Sequence, residues 1–215
     1  MSKILEDISA ALQSGKAKVV NELIEKALED GVCANDILQK GLMSGMDVIA
    51  VKFKNNEVYV PEVLIAARAM NGGTALLKPH LTEGGAKPLG KAVLGTVKGD
   101  LHDIGKNLVR MMLEGKGIEV IDVGIDVGPE KFVEVCKAEN PDIVAMSALL
   151  TTTMGEMKIV IDALEEAGLR KGKIVMVGGA PVTESFSKSI GADIYTADAA
   201  SAAEAASKAL LSKTA

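Results

Sequence analysis

A chain of 215 residues, 48% hydrophobic but only 2% aromatic and without Trp, must build its core from aliphatic side chains, with ten Met as adaptable filler. A formal net charge of −5 and a pI near 5.2 argue against a nucleic-acid surface, which rewards clustered basic residues, and the shortage of aromatics removes the stacking platforms used on single strands. No run approaches the roughly 18 apolar residues of a membrane span; Cys33 and Cys136 are too far apart for metal-ligand spacing, so the expectation is a cytoplasmic protein with free thiols.

In chain order, "MSKILEDISAAL" mixes charge with apolar residues as a helix does and does not read as a signal peptide. Ile4, Ile8 and Leu12 form one stripe, and Val20, Leu23, Ala27 and Leu28 a second. Ile37, Leu42, Met46, Ile49 and Phe53 form a third, and Val63, Ala67, Met70 and Leu77 a fourth. Ser14-Gly15, Gly31, Asn55-Asn56 and Gly84-Gly85 punctuate them, and Pro61 suits the first turn of the fourth helix. The spacing predicts a four-helix bundle over residues 1–82. "TEGGAKPLG" supplies a polar, Gly- and Pro-containing linker, placed at 83–90, whose composition predicts flexibility.

Beyond it the period changes. Short β-branched runs near 92–97, 118–123, 142–147, 173–177 and 193–196 alternate with helical patterns, the last being "ASAAEAASKALL". Strand–helix alternation predicts a parallel sheet: a doubly wound, five-stranded Rossmann-like or flavodoxin-like domain over 91–215. In "KFVEVCKAE", Phe132, Val133 and Cys136 share a helical face, so Cys136 reads as a buried thiol; His80 reads as a solvated helix end.

Ligands of such sheets bind outside the carboxyl ends of the strands. After the first strand comes Gly99-Asp100-Leu101-His102-Asp103-Ile104-Gly105. After the third comes Ser147-Ala148-Leu149-Leu150-Thr151-Thr152-Thr153. Gly178-Gly179 follows the fourth, and Asp198-Ala199-Ala200 the fifth. The dinucleotide fingerprint and the P-loop are both absent. A receiver domain wants an Asp ending the third strand, where Ser147 stands. A zinc site wants more ligands than one His with two carboxylates on its own loop. His102 with Thr153 would be half of a nucleophilic pair, but no nucleophile elbow accompanies it. A lone His two residues from a carboxylate suits a different role, that of single axial ligand to a metal whose other donors come from a macrocycle, with the carboxylate fixing the tautomer.

The ordered set Asp100-x-His102-x-x-Gly105, Ser147-x-Leu149 and Gly178-Gly179 resembles the cobalamin-binding signature. "GTVKGDLHDIGKN" is similar to the corrinoid module of methionine synthase and to the small corrinoid proteins of methyltransferase systems. "KGLMSGMDVIAVKFKNNEVYVPEVLIAARAM" resembles the helical cap preceding that module, and "SALLTTTM" points to the methylamine and quaternary-amine type.

The resemblance implies a cobalamin or related corrinoid, with His102 as the cobalt ligand, Asp100 bonded to its far nitrogen, and Thr153 in the relay position usually held by Ser. Gly99, Leu101, Asp103 and Leu149 belong to the same binding loops. Ser147 and Thr151 are implied to bond the buried nucleotide tail, and Gly105, Gly178 and Gly179 to leave room for it. Ala199 is implied to approach the ring edge, and Phe53 and Val60 of the cap its upper face. The implied role is a methyl carrier cycling between methyl-Co(III) and Co(I), not catalytic alone. Its implied partners are a substrate-specific methyltransferase, a second methyltransferase serving a thiol or folate acceptor, and a reductive activation protein. The cap is implied to swing away for each transfer. Neither nucleic acid nor membrane is an expected partner. A mutase small subunit would share the loop but not this cap. A cobalamin-sensing regulator would add a basic DNA-binding module, whereas residues 1–90 carry ten Lys plus Arg against eleven Asp plus Glu. A corrinoid store is the remaining alternative, although it needs no opening cap.

Overall fold

Apolar residues three and four apart wind the first part of the chain into helices. The structure is a computed structural model and describes residues 3–84 and 88–214. The chain divides into two compact units, Met1–Lys87 and Pro88–Ala215.

In the first unit, α1 (Lys3–Gln13) and α2 (Ala17–Glu29) are joined at Gly15, which turns the chain with φ +67°. A third helical stretch follows as α3 (Ala34–Asp36), a π-helical segment (Ile37–Met43) and α4 (Ser44–Lys54). The long α5 (Val60–Gly84) completes the unit, with Pro61 in its first turn. Ile8, Leu12, Ile24, Ile37, Leu42 and Ile49 are fully or almost fully buried. The sequence period differs from the structure in detail. On α2 the buried row is Val20, Ile24 and Ala27, with Leu23 only half-buried. The third helix is not α-helical throughout: its π segment brings Gly41 against Ile8, where an added Cβ would lie 3.1 Å from Ile8 Cγ2. His80 is exposed on α5. Helix α5 runs to Gly84, beyond the expected bundle limit at 82, and residues 85–87 of the expected linker lie outside the described residues.

In the second unit, β1 (Gly90–Val97), β2 (Ile118–Val127), β3 (Ile143–Ser147), β4 (Ile174–Gly178) and β5 (Ile194–Tyr195) form one all-parallel sheet in the order β2-β1-β3-β4-β5. This is the flavodoxin-like doubly wound order, whose switch point lies between β1 and β3. Alternation along β1 sorts the two faces. Val93 and Val97 join Phe132 and Val135 of α7 (Pro129–Glu139) and Val160 and Leu164 of α8 (Gly155–Glu166) in one core. On the other face pack α6 (Ile104–Gly115) and α10 (Ala199–Thr214), while the short α9 (Glu184–Ser189) follows β4. Gly95 admits the Phe132 ring, which an added Cβ would meet at 2.9 Å. Cys136 is buried within that core and Cys33 is exposed.

One ion pair is built into the α6–β2 contact. Lys106, its side chain 2% exposed, donates to Asp122 Oδ1 at 2.6 Å, to Asp122 Oδ2 at 2.5 Å and to Asn107 Oδ1 at 2.9 Å; Arg110 reaches Asp122 Oδ2 at 3.2 Å. Burial pushes the Asp122 carboxyl up, but Lys106, the Gly124 N–H and Arg110 outweigh it and hold it below the usual carboxylate range. A folded value below the unfolded one stabilises fully above the unfolded value and is lost as pH falls through the folded one. Asp122→Asn therefore should cost about 3 kcal/mol at neutral pH, at the low end for breaking a buried pair because the amide oxygen still accepts. In urea unfolding the gap from wild type should narrow below pH about 4. A gap independent of pH would rule out the charge as its source.

Candidate functional site

The site grows from the carboxyl end of β1. Thr96, fully buried, donates its hydroxyl to the carbonyl of His102 at 2.9 Å. The chain then turns through Gly99 (φ +79°), with the Asp100 N–H on Val97 O at 3.1 Å, and drives the Asp100 carboxylate inward to 0% exposure.

A buried carboxylate must be fully satisfied. Oδ1 accepts from the His102 N–H at 3.1 Å and from the His102 ring at Nδ1, 2.7 Å away. Oδ2 accepts from the backbone N–H groups of Leu149 at 2.7 Å and Leu150 at 3.2 Å. Thr153 Oγ1 lies 2.8 Å from Oδ2 and 2.9 Å from Leu150 O, so one proton is shared between two acceptors. Burial pushes the Asp100 carboxyl up; the His102 ring, the Leu149 N–H, the Thr153 hydroxyl and the His102 N–H together overcome it and hold the group far below the ordinary range. Asp100 is thus an anion, and an anion at Nδ1 makes that nitrogen the donor. The lone pair of neutral imidazole is then on Nε2, which has no partner among the described residues, on a side chain 49% exposed.

Around the imidazole the loop shows apolar surface: Leu101 is 67% and Ile104 74% exposed, and Leu149 and Leu150 are also exposed. Exposed Asp103 stands at the N-cap of α6, its carbonyl accepting the Asn107 backbone N–H at 2.8 Å and its Oδ2 the Asn107 side-chain amide at 3.0 Å. Sheet register sets the next residues side by side, Ser147 opposite Thr96 of β1 and opposite Gly178 of β4. The hydroxyls of Ser147 and Thr151 have no hydrogen-bond partner among the described residues. The loop before α10 adjoins Gly178, and Ala199, 6% exposed, opens that helix.

The glycines separate into two kinds. A Cβ on Gly105 would meet nothing within 4 Å, and one on Gly178 would meet only Thr196 O at 3.8 Å. At Gly179 (φ +127°) it would fall 1.9 Å from Ala148 O, so this residue answers to its own backbone neighbour rather than simply leaving room for a ligand. Thr96, the Leu150 N–H and Gly155, which also faces open space, are parts that motif reading misses. Thr96 has no signal, being one hydroxyl in an apolar strand; Leu150 lies within the Leu149–Thr153 segment but acts through a backbone N–H that any residue supplies, and Gly155 lies just beyond it with no motif of its own. Phe53 and Val60 lie in the first unit, both half-buried, flanking the turn between α4 and α5.

The donor set fits a macrocyclic metal cofactor. Among the described residues, no three His, Cys, Asp or Glu side chains group to hold a metal alone. One anchored imidazole with a free nitrogen, an apolar collar and glycine-lined open space suit a ligand that brings its own equatorial donors.

Residues 90–207 match the family described as B12 binding domain, and residues 4–78 match a second B12 binding domain family. The chain belongs to the B12-binding domain family of corrinoid proteins. It is 42% identical over 208 residues to dimethylamine corrinoid protein 3 of Methanosarcina acetivorans, a match covering 97% of each chain. Among solved structures it is similar to the methanol:cobalamin methyltransferase complex MtaBC from Methanosarcina barkeri, with TM-score 0.88 and 31% identity over 98% of this chain and 80% of that one. A cobalamin-binding protein from Desulfitobacterium hafniense gives TM-score 0.79 and 32% identity over 95% of this chain and 97% of that one.

Proposed function

We propose that this protein is a corrinoid methyl carrier, loaded by a substrate-specific methyltransferase and unloaded by a second one that serves a thiol or folate acceptor. The observation that carries this reading is the Asp100–His102 pair: a buried anion fixes Nδ1 at 2.7 Å and leaves Nε2 toward the exposed edge. When bound, the corrinoid supplies a cobalt centre able to accept and release a methyl group, the hard chemistry that the protein itself lacks.

The chain's own residues do the rest. His102 would hold the metal through Nε2. Asp100 sets its tautomer and basicity, and stays ionised because Leu149, Leu150 and Thr153 donate to it. Thr153, its hydroxyl 2.8 Å from Asp100 Oδ2, would hold a proton at that oxygen. Gly99 turns the loop, exposed Leu101 and Leu149 would pack on the ring, and Asp103 begins α6. Ser147 and Thr151 would bond the cofactor's tail, and Gly105 and Gly178 would leave it space. Gly179 holds the adjacent backbone, and Ala199 would meet the edge of the bound ring.

Likeness to dimethylamine corrinoid proteins supports a methylated amine as the donor handled by the first methyltransferase. A reductive activation protein completes the set, in the cytoplasm; no described helix is long and apolar enough to cross a membrane. Mutase and regulator roles are not favoured by these relatives.

The test is reconstitution with hydroxocobalamin and electron paramagnetic resonance of the reduced Co(II) form. Wild type is expected to show one axial nitrogen coupling. His102→Ala should take up cofactor yet lose that coupling. An identical signal in the variant would refute His102 as ligand.

A further inference from the structure

Strand β2 carries a feature that the His102 site does not use. Its pairing with β1 runs residue for residue from Gly90 opposite Ile118 to Leu94 opposite Asp122, then slips, placing Gly95 opposite Gly124 and Val97 opposite Val127. Five steps along β2 answer three along β1, so β2 holds two extra residues there. Left-handed backbone at Gly124 (φ +93°) and Asp126 (φ +53°) accommodates them. The first slip is tied by the Gly124 N–H to Asp122 Oδ1 at 2.9 Å, and Asp122 is itself pinned by buried Lys106.

The second slip brings Asp126 to the His102 loop. Asp126 Oδ1 accepts from the Gly99 N–H at 2.7 Å, and the Asp126 N–H donates to Asp100 O at 3.0 Å. One residue of the edge strand therefore grips the two peptide groups that flank Gly99-Asp100, Lys98–Gly99 through its N–H and Asp100–Leu101 through its carbonyl. The far half of the loop is held from elsewhere, by Thr96 on His102 O and by the donors converging on the Asp100 carboxylate. Its near half, Lys98–Gly99, is exposed, and Gly99 is the residue with the most backbone freedom. If those flanking peptides rotate, the Asp100 carboxylate turns with them, and the imidazole bonded to Oδ1 must follow.

We propose that Asp126 is a positioning residue for His102, holding the peptide groups on either side of Gly99-Asp100 so that the imidazole keeps one orientation. The inference rests on His102 being the axial ligand. A turn-former alone would need only the left-handed backbone, which Gly supplies equally well. A positioning residue needs the carboxylate acceptor, whose charge-assisted bond is about twice as strong as a neutral one.

Asp126→Gly keeps the backbone and deletes the acceptor, whereas Asp126→Asn keeps an acceptor and tolerates left-handed φ. Two readouts follow: hydrogen exchange of the Gly99 amide in the cofactor-free chain, and axial nitrogen coupling in the Co(II) form. For Asp126→Gly, Gly99 should exchange roughly tenfold faster, the effect of one lost hydrogen bond, and a fraction of the cobalt signal should lose the coupling. Asp126→Asn should restore both toward wild type. Wild-type protection and a uniform coupled signal in Asp126→Gly would overturn the inference. A wild-type signal with no nitrogen coupling would bring down the ligand assignment and this inference with it.

Discussion

Gly179→Ala is expected to destabilise the second unit by on the order of 4 kcal/mol or more. The added Cβ would stand 1.9 Å from Ala148 O, 2.9 Å from Ala148 C and 3.2 Å from Ala148 N, all backbone atoms that no rotamer change removes. The φ of +127° adds a conformation that L side chains rarely adopt. Relief requires the ends of β3 and β4 to part, which breaks the Ala148 N–H bond to Gly178 O at 3.2 Å and shifts the segment that begins with Leu149. That segment delivers two N–H groups and a hydroxyl to Asp100, so the damage reaches the His102 anchor. Gly178→Ala is the matched comparison. Its Cβ meets Thr196 O at an ordinary 3.8 Å, so the cofactor-free chain should stay within about 1 kcal/mol of wild type. Its corrinoid uptake should nevertheless fall if the cofactor's tail runs past Gly178 as proposed, because the methyl group enters that space. Urea unfolding followed by circular dichroism separates the two. Equal midpoints for both variants would mean that the β3–β4 junction yields more easily than its geometry requires.

Periodicity made the architecture legible because it records burial, and burial is what folds both units. The stripes through Ile8 and Leu12, and through Ile37, Leu42 and Ile49, are core residues; the β-branched runs are the strands of a parallel sheet. The site loops were legible for a related reason, since chemistry gathers at the carboxyl edge of such a sheet. What sequence could not carry was anything set by contacts distant along the chain. Asp100 is held by residues 49, 50 and 53 positions further on, and two of those bonds come from backbone N–H groups that any residue supplies. The extent of β2 was hidden because its last part is irregular. Runs of alternating residues do not announce a double slip at Gly124 and Asp126. The π segment was hidden likewise, because a periodic stripe reads the same until its register is met by α1.

Asp100→Asn should be the most disabling change that leaves size and shape intact. The carboxylate offers two oxygens, and donors face both: His102 N–H and Nδ1 on one side, Leu149, Leu150 and Thr153 on the other. An amide has one oxygen and one NH2, so in either orientation a donor is turned onto donors. With the NH2 toward Leu149, two backbone N–H groups lose their acceptor at a position 0% exposed, where no water reaches to replace it. With the NH2 toward His102, the imidazole must present Nδ1 as an acceptor, which moves its proton to Nε2, the nitrogen meant for the metal. The expected loss is about 3–5 kcal/mol of stability and roughly 10- to 100-fold in the hold on the axial position. Thr153→Val removes one shared donor and should cost only about 1 kcal/mol. Thermal unfolding of the cofactor-free chains and nitrogen coupling in the reduced corrinoid form read the two effects apart. If Asp100→Asn kept both the wild-type midpoint and the coupling, a neutral side chain would suffice here, and the anion would lose its role as the group that fixes the tautomer of His102.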